Sequence, residues 1–192
     1  MSGHQVVLVR HGQTEWSLSG QHTGTTDMPL TDEGRRHAEA LGGRLAAWSF
    51  ARVLTSPLAR AFDTCRLAGV GDHAEVIGDL TEWDYGAYEG RRTVDIREER
   101  PGWCIWKDGV PGGETVEEVG ARADRVIDVA RSAGGDVALF AHGHVLRVIG
   151  ARWIGLPPDH GALLALSTAS ISVLGWERET AVIERWNETA AP

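Results

Sequence analysis

The chain has 192 residues, 42% of them hydrophobic, enough to bury one substantial core. Its 24 glycines and 7 prolines fall below the share that marks low-complexity or collagen-like sequence, which excludes both. Nineteen basic against 27 acidic side chains leave a formal charge of −8, so the surface as a whole repels nucleic acid and anionic lipid. An anionic ligand then has to be held by a local basic pocket. Cys65 and Cys104 lie far apart without paired ligand spacing, which points to reduced thiols rather than a disulfide framework or a zinc site.

Taken in order, residues 6–9 (Val-Val-Leu-Val) read as a buried strand, with too short an apolar run and no basic leader for a signal peptide. No stretch approaches ~18 apolar residues. The expectation is a cytoplasmic protein without membrane or nucleic-acid partners. Thr31 is a candidate cap for a helix over 32–48, with Asp32 and Glu33 in its first turn and Ala38, Leu41, Leu45 and Trp48 as its buried stripe. Residues 53–55 read as a strand, and Ser56-Pro57 suits a cap followed by proline at the first position of a helix reaching 68. A weaker strand falls near 75–77.

Thr115 and Glu118 fit a capping box that opens a helix with apolar positions Val116, Val119, Ala123, Val126 and Ala130, stopped by Gly134-Gly135. A strand at 137–141 precedes a helix at 145–154, closed by Gly155 and Pro157-Pro158; strands at 171–174 and 182–183 follow. The polar end, 188–192, is expected to fray. Strands alternating with helices imply one α/β domain over 1–192, a sandwich around a mainly parallel sheet.

Three of these strands end in polar residues suited to phosphate: Arg10-His11-Gly12 after 6–9, Ser56 to Arg60 after 53–55, and His142-Gly143-His144 after 137–141. If the strands are parallel neighbours, their carboxyl ends share the sheet edge where open α/β proteins bind ligands. Two arginines and two or three histidines would surround one point. Guanidinium forks match the oxygens of a phosphate monoester, and their charge disfavours protonation of a nearby imidazole. A neutral histidine with one nitrogen tied to a carbonyl can attack phosphorus with the other.

Five stretches then carry a resemblance. Residues 8–16 (LVRHGQTEW) resemble the RHG signature of the histidine phosphatase superfamily, the phosphoglycerate mutase-like group. Residues 22–31 (HTGTTDMPLT), 56–61 (SPLARA), 80–86 (LTEWDYG) and 140–144 (FAHGH) are similar to the motifs that follow it, in order. The resemblance implies a three-layer α/β/α sandwich of the phosphoglycerate mutase-like kind. It also implies a metal-independent phosphatase without a cofactor, acting on small phosphorylated metabolites. By the same resemblance His11 is the nucleophile, and Arg10, Arg60 and His142 bind the phosphoryl oxygens. Glu82 is the proton donor and then the base for water. Thr23, Gly24 and Gly143 match phosphate-contacting or close-approach positions, and Tyr85 a pocket tyrosine. Ser17 departs from a frequent asparagine. Residues 16–24, 105–109 and 113–115 resemble the sedoheptulose-bisphosphatase-like branch and its bacterial acid phosphatase relatives, which implies sugar phosphates.

Alternatives stay open on the residues themselves. One is a phosphoglycerate mutase primed by a bisphosphorylated cofactor, although the stretch after the acidic motif is short. Another is a non-catalytic phospho-ligand binder. A metal site built from His11, His22, His142, His144 and Asp27 lacks usual ligand-pair spacing. His144 and His22 read equally as structural histidines. Trp83, Trp103 and Trp106 read as core before pocket mouth. Arg91, Arg92 and Lys107 are candidates for a distal phosphate or carboxylate.

Overall fold

Alternate side chains of the first strand enter two different cores, which is what an apolar run buried on both faces of a sheet produces. In the computed structural model, which describes residues 3–189, Val6 and Leu8 of β1 (Val6–Arg10) join one core and Val7 and Val9 the other. The remaining strands are β2 (Arg52–Thr55), β3 (Glu75–Val76), β4 (Val137–Ala141), β5 (Ile171–Glu177) and β6 (Thr180–Glu188). They form one sheet in the order β3-β2-β4-β1-β5-β6. The first four in that order run parallel, while β5 and β6 are antiparallel to their neighbours.

The helices are α1 (Glu15–Ser19), α2 (Asp32–Leu45), α3 (Ala59–Leu67), α4 (Thr93–Glu99), α5 (Ile105–Asp108), α6 (Val116–Arg131) and α7 (Gly143–Trp153). Leu41 and Leu45 of α2 and Cys65 of α3 pack with Val7, Val9 and Phe140 on one face. On the other, Val119, Ala123 and Val126 of α6 and Val145, Leu146 and Ile149 of α7 pack with Leu8, Leu54 and Leu139. This is the three-layer α/β/α arrangement. Among the described residues no helix is long and apolar enough to cross a membrane.

Several boundaries differ from the sequence reading. The second helix ends at Leu45 instead of 48, and the chain turns so that Trp48, half-buried, donates its indole N–H to Gln5 Oε1 at 2.6 Å. Ser56-Pro57 does not open α3. The helix starts at Ala59, whose N–H is taken by the Asp27 carboxylate at 2.8 Å, and Ser56 is occupied elsewhere. Glu188 belongs to β6, paired with Ile171, while residues 190–192 of the expected tail lie outside the described residues. Thr115 caps α6 with the full reciprocal box to Glu118.

The chain leaves β1 toward α2 on one face and leaves the adjacent β4 toward α7 on the other. Neighbouring parallel strands whose connections depart to opposite faces open a crevice at their carboxyl ends. His11 and His142 stand at that crevice.

Candidate active site

His11 follows the last residue of β1 and is 4% exposed. Its Nδ1–H donates to the Gly12 carbonyl at 2.7 Å, which fixes the tautomer and leaves the Nε2 lone pair without a hydrogen bond among the described residues. Burial pushes this imidazole well below its ordinary pKa, and the positive charges of Arg10 and Arg60 push the same way. The ring is therefore neutral, and its free nitrogen is the nucleophilic one. Arg10 is held by the Leu166 carbonyl through Nη1, while its Nε is buried without a partner. A buried guanidinium with a donor left over is a site prepared for an acceptor oxygen.

Arg60 and His142, expected to bind the phosphoryl oxygens, do not line the pocket onto which His11 opens. Arg60 is fully buried, and its Nη1 donates to Thr26 O at 2.9 Å and its Nη2 to Thr23 O and Gly24 O at 3.0 and 2.9 Å. Its Nε donates to His142 Nδ1 at 3.1 Å, so His142 carries its proton on Nε2 and donates it to Ser56 Oγ at 2.7 Å. The rings of His142 and His11 are 5.2 Å apart between centroids. Burial first, then Arg60, keeps His142 neutral as well. The Gly24 N–H is taken by the Glu89 carboxylate at 2.9 Å, and Glu89 also accepts from Thr26 N. A Cβ on Gly24 would fall 2.6 Å from both Glu89 Oε2 and Trp83 O. Gly24 thus shapes the loop that Arg60 and Glu89 clamp from either side.

Arg10, His11 and Thr23 line a pocket of about 210 Å³ with Glu82, Tyr85 and Gly143. Glu82 is 5% exposed, and its carboxylate sits at the N-terminus of α7. Oε1 accepts from Trp83 N and Val145 N at 2.9 and 3.0 Å, and Oε2 from His144 N at 2.9 Å. These three backbone donors fix the orientation of the Glu82 carboxyl group. Gly143 is a close approach, since a Cβ on it would lie 3.3 Å from the Arg10 guanidinium carbon. Burial, with the nearby Glu82 charge, pushes the Tyr85 phenol well above its ordinary pKa, so it stays protonated, and its hydroxyl shares a hydrogen bond with His144 Nδ1 at 2.6 Å. Burial, then Arg147 and His22, keeps His144 uncharged.

Other expected groups take other places. Arg91 pairs with Glu99 at 2.7 Å and Arg92 with Asp95 at 2.6 Å; neither lines the pocket, and Lys107 lines a separate surface groove. Trp83, Trp103 and Trp106 are core residues, packed behind His22 and His144. His22 and Ser17 do reach the pocket, where the Ser17 hydroxyl is engaged with Thr14. Asp27 is spent on the start of α3. Among the described residues, no three His, Cys, Asp or Glu side chains are arranged to hold a metal ion. The sequence reading missed Glu89, Gln21, Leu166 and Arg147. Of these only Arg147 left a signal, a lone charge inside the apolar run Val145 to Ile149.

Residues 6–189 match the family model described as histidine phosphatase superfamily (branch 1). An acid phosphatase from Mycobacterium tuberculosis is 43% identical over 187 residues, covering 94% of this chain and 92% of that protein. A sedoheptulose 1,7-bisphosphatase from Saccharomyces cerevisiae is 38% identical over 183 residues, covering 78% of this chain and 67% of the yeast protein. A solved Mycobacterium tuberculosis structure superposes with a TM-score of 0.93 at 41% identity, over 97% of this chain and 98% of that one. This chain belongs to the histidine phosphatase superfamily.

Proposed function

We propose that the protein is a metal-independent phosphomonoesterase of the cytoplasm, acting on small phosphorylated metabolites, sugar phosphates foremost, through a phosphohistidine on His11. The observation that carries this reading is the His11 imidazole itself: neutral, clamped through Nδ1 to Gly12 O, with Nε2 free beside Arg10 and Glu82 in one pocket. In the first step Nε2 attacks phosphorus and the P–O bond to the alcohol breaks. The departing oxygen takes the proton of the Glu82 carboxyl. In the second step the Glu82 carboxylate takes a proton from water, whose oxygen attacks phosphorus as the P–N bond breaks and releases inorganic phosphate. Arg10 meets the equatorial oxygens directly, and Arg60 and His142 hold the loop and the field around them.

The acid phosphatase and bisphosphatase relatives support the hydrolytic reading. So does the pairing of Arg91 and Arg92 with Glu99 and Asp95, which keeps both arginines out of the pocket lining. Phosphate release from an aryl phosphate in the presence of EDTA tests it. Wild type is expected to turn over and His11→Ala to lose at least ~10³-fold, with phosphohistidine trapped by rapid acid-free quenching of wild type only. Activity retained by His11→Ala, or abolished by EDTA, would sink the mechanism. Faster interconversion of 3- and 2-phosphoglycerate than phosphate release would replace hydrolysis with mutase chemistry.

A further inference from the structure

The stretch that carries Glu82 has no regular structure of its own. Residues 81–85 lie in neither helix nor strand, so their backbone groups must find partners elsewhere. Two side chains from far along the chain supply them. Arg122 of α6 is 7% exposed, and its Nη1 donates to Asp79 O at 2.8 Å and also to Thr81 O. Its Nε and Nη2 form a two-pronged pair with Glu114 Oε1 and Oε2 at 2.8 and 2.9 Å.

Glu114 completes the brace from the other side. Its Oε2 accepts from Asp84 N at 2.9 Å, its carbonyl accepts from the Trp83 indole N–H at 2.8 Å, and its own N–H donates to Asp84 O at 3.0 Å. One ion pair therefore grips Thr81 just before Glu82, and Trp83 and Asp84 just after it. Neither member lines the pocket. A buried ion pair gives little net stability over well-packed apolar side chains, whereas its fixed geometry can specify one arrangement of what it touches. What it touches here is the backbone on both sides of one carboxyl group. Proton transfer needs that group within about 2.6–3.2 Å of the departing oxygen, and a displacement of about 1 Å can cost ~10²-fold.

Building on the phosphatase reading, in which Glu82 is the acid, we propose that Arg122, locked by Glu114, is a positioning residue for proton donation: the pair holds Glu82 where its carboxyl meets the leaving oxygen. The pair then matters for substrates whose alcohol is a poor leaving group, and hardly at all where the leaving group departs as a stable anion.

The test compares kcat/KM for phenyl phosphate and 2,4-dinitrophenyl phosphate, because this ratio reports transfer to His11 and not the later hydrolysis of the phosphohistidine. Dinitrophenolate leaves without a proton, whereas phenolate gains from one. Glu82→Gln sets the scale and should lose ~10²-fold more on phenyl phosphate than on the dinitro compound. Arg122→Lys keeps the charge but not the fork, and should lose about 10-fold more on phenyl phosphate. Glu114→Gln, at a side chain 26% exposed and thus tolerant of the amide, should lean the same way. Added to Glu82→Gln, Arg122→Lys should bring no further sensitivity to the leaving group, since both act through one carboxyl. Arg125→Gln, which releases only the surface pair with Asp79 on the same stretch, should leave both rates unchanged. Equal losses on the two substrates in Arg122→Lys and Glu114→Gln, or added sensitivity in the double variant, would overturn the proposal and leave the pair as a tie between α6 and the loop. A Glu82→Gln variant without any preference would instead sink the acid of the parent reading, and the proposal with it.

Discussion

His11 and Arg60 show how much of the site is set by burial acting on single side chains. A histidine free in water is half protonated near pH 6.5, and a protonated His11 has no lone pair on Nε2 to attack with. Desolvation, reinforced by Arg10 and Arg60, lowers its pKa, so the imidazole stays unprotonated into mildly acidic solution. Substrate phosphate also titrates, near pH 6, so a rate profile mixes the two. Nitrogen-detected NMR of the free enzyme isolates the imidazole, and His11 is expected to titrate below 6.5. A midpoint at or above that value would contradict the electrostatics of the pocket. Arg60 makes a different demand, because its fork satisfies three carbonyls and one imidazole at once. Lysine keeps the charge but cannot reach four acceptors in one plane. Arg60→Lys should therefore cost about 10²-fold or more in kcat/KM and at least ~3 kcal/mol in urea unfolding, since several buried acceptors lose their donor. A lysine variant of near wild-type activity would show that charge alone suffices.

Between elements, the site depends on how closely α2 approaches the loop that follows β1. A Cβ on Gly34 would stand 2.2 Å from Gln13 O, and one on Gly12 would stand 2.4 Å from Gly34 O, so the two backbones touch directly. Gln13 O also receives the Thr31 N–H at 2.9 Å, which ties the cap of α2 to the same loop. Gly34→Ala should push the loop and His11 with it. About 1–3 kcal/mol of stability and a comparable fall in turnover are expected, measured by denaturant unfolding and aryl phosphate hydrolysis. An unperturbed variant would mean that α2 can shift without moving the nucleophile. The elements of this interface were legible in the sequence. The continuous apolar run of residues 6–9 and the three-and-four spacing along α2 and α6 are long enough to declare a strand or a helix. The helices α1, α4 and α5 span five, seven and four residues, too few for a period to emerge. Short local motifs exposed His11, Arg10 and Glu82. The supports came from far along the chain: Glu89 under Gly24, Asp27 at α3, Leu166 on Arg10. Such partners are chosen by the tertiary fold, and no spacing in the sequence announces them.

For the molecule as a whole, the buried histidines of the site also set its tolerance of acid. His11, His142 and His144 are each held well below the ordinary value of 6.5, with burial the leading cause in every case, and His22 is lowered too. The folded protein leaves these rings neutral while the unfolded chain protonates them, so the unfolded state binds more protons below pH 6.5. The stability they permit is complete above that value and declines as the pH drops from it toward the folded pKa of each ring. The slope approaches about 1.4 kcal/mol per pH unit for each histidine. Surface carboxylates held down by arginines, such as Asp79 beside Arg125, add their loss only below about pH 4. The urea midpoint should thus be level from pH 8 to 7 and fall steeply between 6.5 and 5. A flat profile across that range would mean that the pocket histidines accept protons in place. The same burial therefore has opposite consequences at two scales: it keeps His11 reactive in acid while drawing the fold toward unfolding there. If phosphate binds the folded pocket alone, adding it should move the fall in the urea midpoint to lower pH by mass action.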